Sequence, residues 1–123
     1  MDKIKHIKVL VCGGRNYTNR EHLNQRLNDF EAWLYTQDAN LVTLIHGGAR
    51  GADLLSGEWA KSKSIDVQVF PAEWDKYGRS AGFKRNTQML AENPDYVLAF
   101  EGGRGTQMMC KIARDKGTPT FNL

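Results

Sequence analysis

Three times in this chain an apolar run breaks into a glycine-rich turn, and that recurrence limits the folds open to it. Leu41–His46 (LVTLIH) runs into Gly47-Gly48-Ala49-Arg50-Gly51-Ala52-Asp53, and Ile7–Cys12 (IKVLVC) runs into Gly13-Gly14-Arg15. Tyr96–Phe100 (YVLAF) runs into Glu101-Gly102-Gly103-Arg104-Gly105-Thr106. Strand, glycine turn and helix in that order is the arrangement in which a backbone wraps a phosphate. A tight strand-to-helix turn alone accounts for a single Gly-Gly pair. Three such loops in 123 residues favour a shared site.

The remaining elements follow from periodicity. Thr18, with Glu21 three residues on, predicts a capping box opening a helix whose apolar face is Leu23, Leu27, Phe30 and Leu34. Ala52 to about Ser62 reads as a second helix. Ile65–Phe70 alternates and reads as a strand near the sheet edge. Pro71 to about Ser80 is a long connection carrying Trp74 and Tyr77. A third helix follows to Glu92, with Phe83, Met89 and Leu90 among its apolar contacts. Thr106–Lys116 is a helix stopped by Gly117, and Thr120–Leu123 is a short last strand.

Strands alternating with helices, several of them apolar on both faces, predict an α/β chain: a Rossmann-like three-layer sandwich around a parallel sheet of about five strands. Right-handed crossovers make 3-2-1-4-5 the expected order, with the reversal between strands one and four. Ligands in such sheets sit beyond the strand carboxyl ends at that reversal. The glycine loops follow strands one, two and four, so all three should meet there.

Residues 1–123 suffice for one domain with one core, and 41% hydrophobic with 25% charged residues is an ordinary globular balance. A net charge of +3 suits an anionic small molecule and is low for a nucleic-acid coat. The start, MDKIKHIK, is too interrupted by charge for a signal peptide, and no apolar run approaches membrane-spanning length. Cys12 and Cys110 have no metal or redox spacing, and His6, His22 and His46 are scattered. A cytoplasmic protein with reduced thiols, no metal site and no membrane partner is expected.

Arg15, Arg50, Arg79, Lys84, Arg85 and Arg104 fall in or beside loops expected at the same edge, where they suit phosphate recognition. Helix N-termini add about 0.3–1 kcal/mol each toward an anion. Asp53 and Thr106 stand at helix starts, where each is either a cap or a ligand contact, to ribose and to phosphate respectively. Trp74 and Tyr77 are candidates to stack a base or to cover the core. Asp53, Glu73, Asp75, Glu101 and His46 are the available acids and bases, and no pair among them has diagnostic catalytic spacing.

The motifs GGRNY (13–17), HGGARGAD (46–53), PAEW (71–74), AGFKRN (81–86) and AFEGGRGT (99–106) resemble the SLOG superfamily in its YspA-like branch, over almost the whole chain. The resemblance implies a Rossmann-like fold, homo-oligomers (dimers or tetramers), and a nucleotide or ADP-ribose-like ligand that is sensed or sequestered with no required cofactor. It implies a site of Gly13, Gly14, Arg15, Tyr17, His46, Gly47, Gly48, Arg50, Gly51, Asp53, Trp74, Arg85, Asn86, Glu101, Gly102, Gly103, Arg104, Gly105 and Thr106. Relatives include LONELY GUY phosphoribohydrolases, DprA proteins that bind single-stranded DNA, and sensor domains of antiphage systems.

The phosphoribohydrolases carry PGGxGTxxE with a catalytic Glu, helped by a helix Arg. Gly102, Gly103, Gly105 and Thr106 match that loop and Arg85 matches the Arg, but the Glu position is Met109 and the Pro position Glu101. Losing the carboxylate removes a group worth roughly 10²–10⁴-fold in general acid–base chemistry. Hydrolysis of nucleoside monophosphates is therefore the alternative expectation, with Arg85, Asp53 and Glu101 as its catalytic candidates. DprA-like single-strand binding comes third. Glu101 should face sugar or solvent, since beside a phosphate it would repel. Phe83, where the branch has Pro, should alter how the third helix begins.

Overall fold

The computed structural model describes residues 4–123. Its five strands are β1 (Lys5–Cys12), β2 (Ala39–His46), β3 (Asp66–Val69), β4 (Tyr96–Ala99) and β5 (Thr120–Asn122). They form one parallel sheet in the order β3-β2-β1-β4-β5, as the alternation of elements predicts. The helices are α1 (Arg20–Thr36), α2 (Ala52–Ser62), a single turn α3 (Trp74–Tyr77), α4 (Ala81–Leu90) and α5 (Arg104–Lys116).

Two apolar clusters make the three layers. Leu23, Leu27, Phe30 and Leu34 of α1, with Trp59 and Ala60 of α2, pack on Val9, Val11, Leu41 and Leu44. Met89 and Leu90 of α4, with Met109, Cys110 and Ala113 of α5, pack on Leu10, Ile45, Val97 and Ala99 of the opposite face. Consecutive residues Leu44 and Ile45 thus belong to different cores, as the two-residue strand period requires. Among the described residues no helix is long and apolar enough to cross a membrane.

The structure departs from the sequence reading in four places. The cap of α1 is Asn19, whose Oδ1 accepts from His22 N at 3.1 Å, so the Thr18–Glu21 capping box does not form. Asn is the better cap and reaches the same first-turn donors from one residue later. Helix α5 begins at Arg104, two residues before Thr106, with Gly103 at the cap. The 71–80 connection contains α3 and a 3₁₀ turn at Gly78–Ser80. Phe83, expected in the core, is 50% exposed: α4 turns Ala81, Asn86, Met89 and Leu90 inward, and position 83, one turn before Asn86, stands at the border of that face where a cavity opens.

Candidate functional site

The order in which strands are added reverses between β1 and β4, and there the three glycine loops are joined backbone to backbone. Gly14 N donates to the Glu101 carbonyl at 2.9 Å, while the Gly14 carbonyl accepts from Ala52 N at 3.2 Å. One residue of the first loop thereby holds both others.

Half of the eight loop glycines, Gly13, Gly14, Gly51 and Gly102, meet another of these loops. A Cβ on Gly13 would stand 2.5 Å from Ala52 Cβ and 3.1 Å from Phe100 Cβ; one on Gly102 would stand 2.6 Å from Gly14 N and run into Thr106 Oγ1. A Cβ on Gly47 would strike the Arg85 guanidinium. Gly51 is both crowded, against the Gly14 carbonyl, and left-handed at φ +86°. Gly103 and Gly105 differ. A Cβ on either would meet nothing within 4 Å, and neither has a positive φ.

Those two glycines border a cavity of about 420 Å³ at the N-terminus of α5. Arg15, Arg79, Arg85, Asp53 and Asn86 are its polar lining, and Val11, Cys12, Met89, Met108, Phe83 and Trp74 its apolar lining. Gly13, Gly14 and Thr106 also border it. A neighbouring cleft of about 400 Å³ shares Arg15, Trp74 and Arg85 with it and adds Gly47, Gly48 and Arg50. A third recess, beside the first loop, holds Tyr17, Glu101 and Gly102, and it too includes Arg15.

Helix α4 fastens the second and third loops through adjacent side chains. Arg85 Nη1 donates to the Gly47 carbonyl at 3.0 Å, and its Nε donates to Asn86 Oδ1 at 3.1 Å. Asn86 Nδ2 donates to the Gly105 carbonyl at 3.2 Å. Two of the five guanidinium N–H groups are engaged in these bonds, leaving Arg85 capacity for an anion. Burial lowers the Arg85 pKa from its ordinary value, and the Asp53 carboxylate opposes that effect.

Asp53 is neither the cap of its own helix nor exposed. It is 6% exposed, and its Oδ2 accepts from Gly47 N at 3.1 Å and Ala49 N at 3.2 Å, bracing the second loop from within. Burial raises its pKa to about 6, against the lowering effect of those two amides and of Arg85. His46 lies behind the loop. Its Nδ1 accepts from Gly48 N at 2.9 Å, and Gly57 of α2 leaves room for the ring, since a Cβ there would stand 2.7 Å from Nε2. Burial lowers the imidazole pKa, keeping it neutral and able to accept.

The structure therefore brings most of the site residues that the resemblance implies to one edge and withdraws three; Lys84 and Tyr77, offered for phosphate and base, border none of the three cavities either. His46 is sealed beneath the second loop, Gly51 is spent against Gly14, and Arg104 is exposed without bordering any of the three cavities. Glu101 is exposed, and its backbone, not its carboxylate, makes the bond to the first loop. Arg50 Nη2 donates to Asn16 Oδ1 at 3.3 Å. Lys84 stacks its ammonium 4.8 Å from the Tyr77 ring centroid. Met109, at the position of the phosphoribohydrolase Glu, is fully buried in the core under α5, and Met108 borders the cavity instead. Phe83, Met108 and Cys12 are cavity residues that sequence reading does not assign to the site. Helical period does not single out Phe83, which stands three residues before 86 and seven before 90 and so shares their side of α4. Among the described residues no group of three or more His, Cys, Asp or Glu could hold a metal ion.

Fold and site together define a doubly wound α/β domain with a cationic, glycine-walled crevice at its topological switch point. A family profile, YAcAr (YspA, cpYpsA-related SLOG family), matches residues 7–77. The chain is also 33% identical to the Gene 61 protein of Mycobacterium phage D29, over 94% of this chain and 95% of that one. It belongs to the YspA, cpYpsA-related SLOG family.

Proposed function

We propose that the crevice binds a nucleotide or ADP-ribose-like ligand and that the protein senses or sequesters it. The observation that carries this reading is the pair Gly103 and Gly105. Neither packing nor backbone conformation calls for glycine there, and inside α5 Gly105 is a poorer helix former than Ala. A ligand approaching the backbone N–H groups at the start of α5 supplies the missing reason. Arg15, Arg79 and Arg85 border the same space and would neutralise a phosphate placed there.

Holding is favoured over cutting by the burial of Met109, which leaves an apolar residue where the related hydrolases carry their acid. N-glycosidic hydrolysis is the second reading, and it has one observation of its own. Asp53 is a cavity carboxyl with a pKa near 6, the kind of perturbed group that acid–base chemistry uses. Its Oδ2 is already committed to two loop amides, which ties it to structure.

Calorimetric titration with AMP, ADP-ribose and NAD tests the binding reading. Saturable binding of at least one, with AMP unchanged after long incubation, is the expected result. No binding of any would overturn the reading, and release of free base from AMP would establish the hydrolase.

A further inference from the structure

Helix α4 hides an asparagine and displays a phenylalanine, the reverse of what a surface helix does. Asn86 is 4% exposed and Phe83 is 50% exposed. The burial of Asn86 is explained by its bond to the Gly105 carbonyl. The exposure of Phe83 is not explained by any contact within the fold, for α4 completes its core face with Ala81, Met89 and Leu90. Trp74 shows the same behaviour at 47% exposure. Both rings border the 420 Å³ cavity, and Trp74 lies over α4 at Gly82, where a Cβ would stand 3.5 Å from its ring edge. The other exposed large apolar side chains, Ile4, Trp33, Tyr35, Leu54, Val69 and Phe121, border none of the three crevice cavities.

We infer that Phe83 and Trp74 are the specificity-determining residues of the crevice and receive a planar aromatic group of the ligand, the nucleobase. The inference rests on the nucleotide reading above and narrows it, because a sugar phosphate alone would leave both rings unused. The cavity lining offers a partner to each half of the ligand. Gly103, Gly105, Arg79 and Arg85 face the anionic half; Phe83, Trp74, Met89 and Met108 offer polarizable apolar surface to the other. Arg15 joins the two, its guanidinium 5.5 Å from the Trp74 ring centroid while it also borders the phosphate side. An aromatic platform reads the face of a base, not its edge, so it selects for the presence of a base more than for its identity.

The test compares AMP with ribose 5-phosphate, which has the same anion and sugar but no base. The wild-type protein should bind AMP at least about tenfold more tightly, from the stacking a base adds. Phe83→Ala should weaken AMP by about tenfold while changing ribose 5-phosphate by less than about twofold, and Phe83→Trp should retain AMP affinity. AMP, but not ribose 5-phosphate, should quench Trp74 emission, read as the difference between wild type and Trp74→Phe. Equal affinities of the wild type for the two ligands, or a Phe83→Ala loss shared by both, would overturn the aromatic assignment while leaving phosphate binding intact. Binding of neither ligand, nor of ADP-ribose, would overturn the nucleotide reading itself and this inference with it.

Discussion

Arg85 and Asn86 are neighbours on α4 that hold different loops: Arg85 Nη1 donates to the Gly47 carbonyl at 3.0 Å and Asn86 Nδ2 to the Gly105 carbonyl at 3.2 Å. The 3.1 Å bond from Arg85 Nε to Asn86 Oδ1 ties the two tethers together. The mouth of the crevice is thus set by one helix, and the position of each loop depends on a side chain that is not on it.

Asn86→Ala should lower unfolding free energy by about 1–2 kcal/mol, since it removes the tether to the Gly105 carbonyl and leaves Arg85 Nε without its acceptor. Asn86→Asp should be worse, because it sets a carboxylate oxygen against that carbonyl oxygen in a buried site. Urea titration of the three proteins checks the order. A loss below the error of the method in both variants would show that α4 does not hold the third loop.

Asp53 should leave a signature in the pH dependence of stability. Its carboxyl titrates near 6 in the folded chain against an ordinary 3.8, so between those values the folded chain keeps a proton that the unfolded chain has released. The resulting stabilisation is fully present below about pH 3.8 and is lost as pH rises through 6; at about 1.4 kcal/mol per tenfold in proton affinity, it amounts to about 3 kcal/mol. His46 acts in the opposite sense, its lowered pKa costing stability as pH falls below the ordinary 6.5. Asp53→Asn keeps an oxygen acceptor for Gly47 and Ala49 and removes only the first effect. The stability of wild type relative to Asp53→Asn should therefore fall between pH 4 and pH 7. A constant difference would refute the buried-carboxyl description.

Gly51→Ala should be strongly destabilising. It combines φ +86° with a collision against the Gly14 carbonyl, and left-handed strain alone costs roughly 1–3 kcal/mol. Gly103→Ala, at the open α5 cap, should change the unfolding midpoint little. Thermal unfolding of the pair separates glycines that join loops from glycines that face the cavity. Equal losses would erase that distinction.

The strand order is legible because each strand announces its own end: three break into glycine turns, and the alternating IDVQVF run becomes the sheet edge, β3. Convergence of the loops follows from the order alone. What is not legible depends on directions that residue types do not carry. Thr18 and Asn19 are both competent caps, and only the turn geometry chooses Asn19. Phe83 reads as core because it is apolar and in helical phase with 86 and 90, yet it stands where the crevice opens. His46 reads as a site residue for being next to Gly47. Strand parity places it on the face of Leu44, toward α2, and the sequence does carry that much. The glycines pose the hardest case, since identical residues serve loop joining at 13, 51 and 102 and open space at 103 and 105.

The space at the start of α5 is kept, on the binding reading, for a ligand phosphate, and Gly105→Ala intrudes on it with a single methyl group. Calorimetric titration of wild type and this variant with AMP and ADP-ribose, beside their unfolding midpoints, is the decisive measurement. An unchanged or slightly raised midpoint is expected, together with at least about a tenfold loss of affinity for the ligand that wild type binds. A Gly105→Ala protein that folds as well and binds as tightly as wild type would show that no phosphate occupies that space.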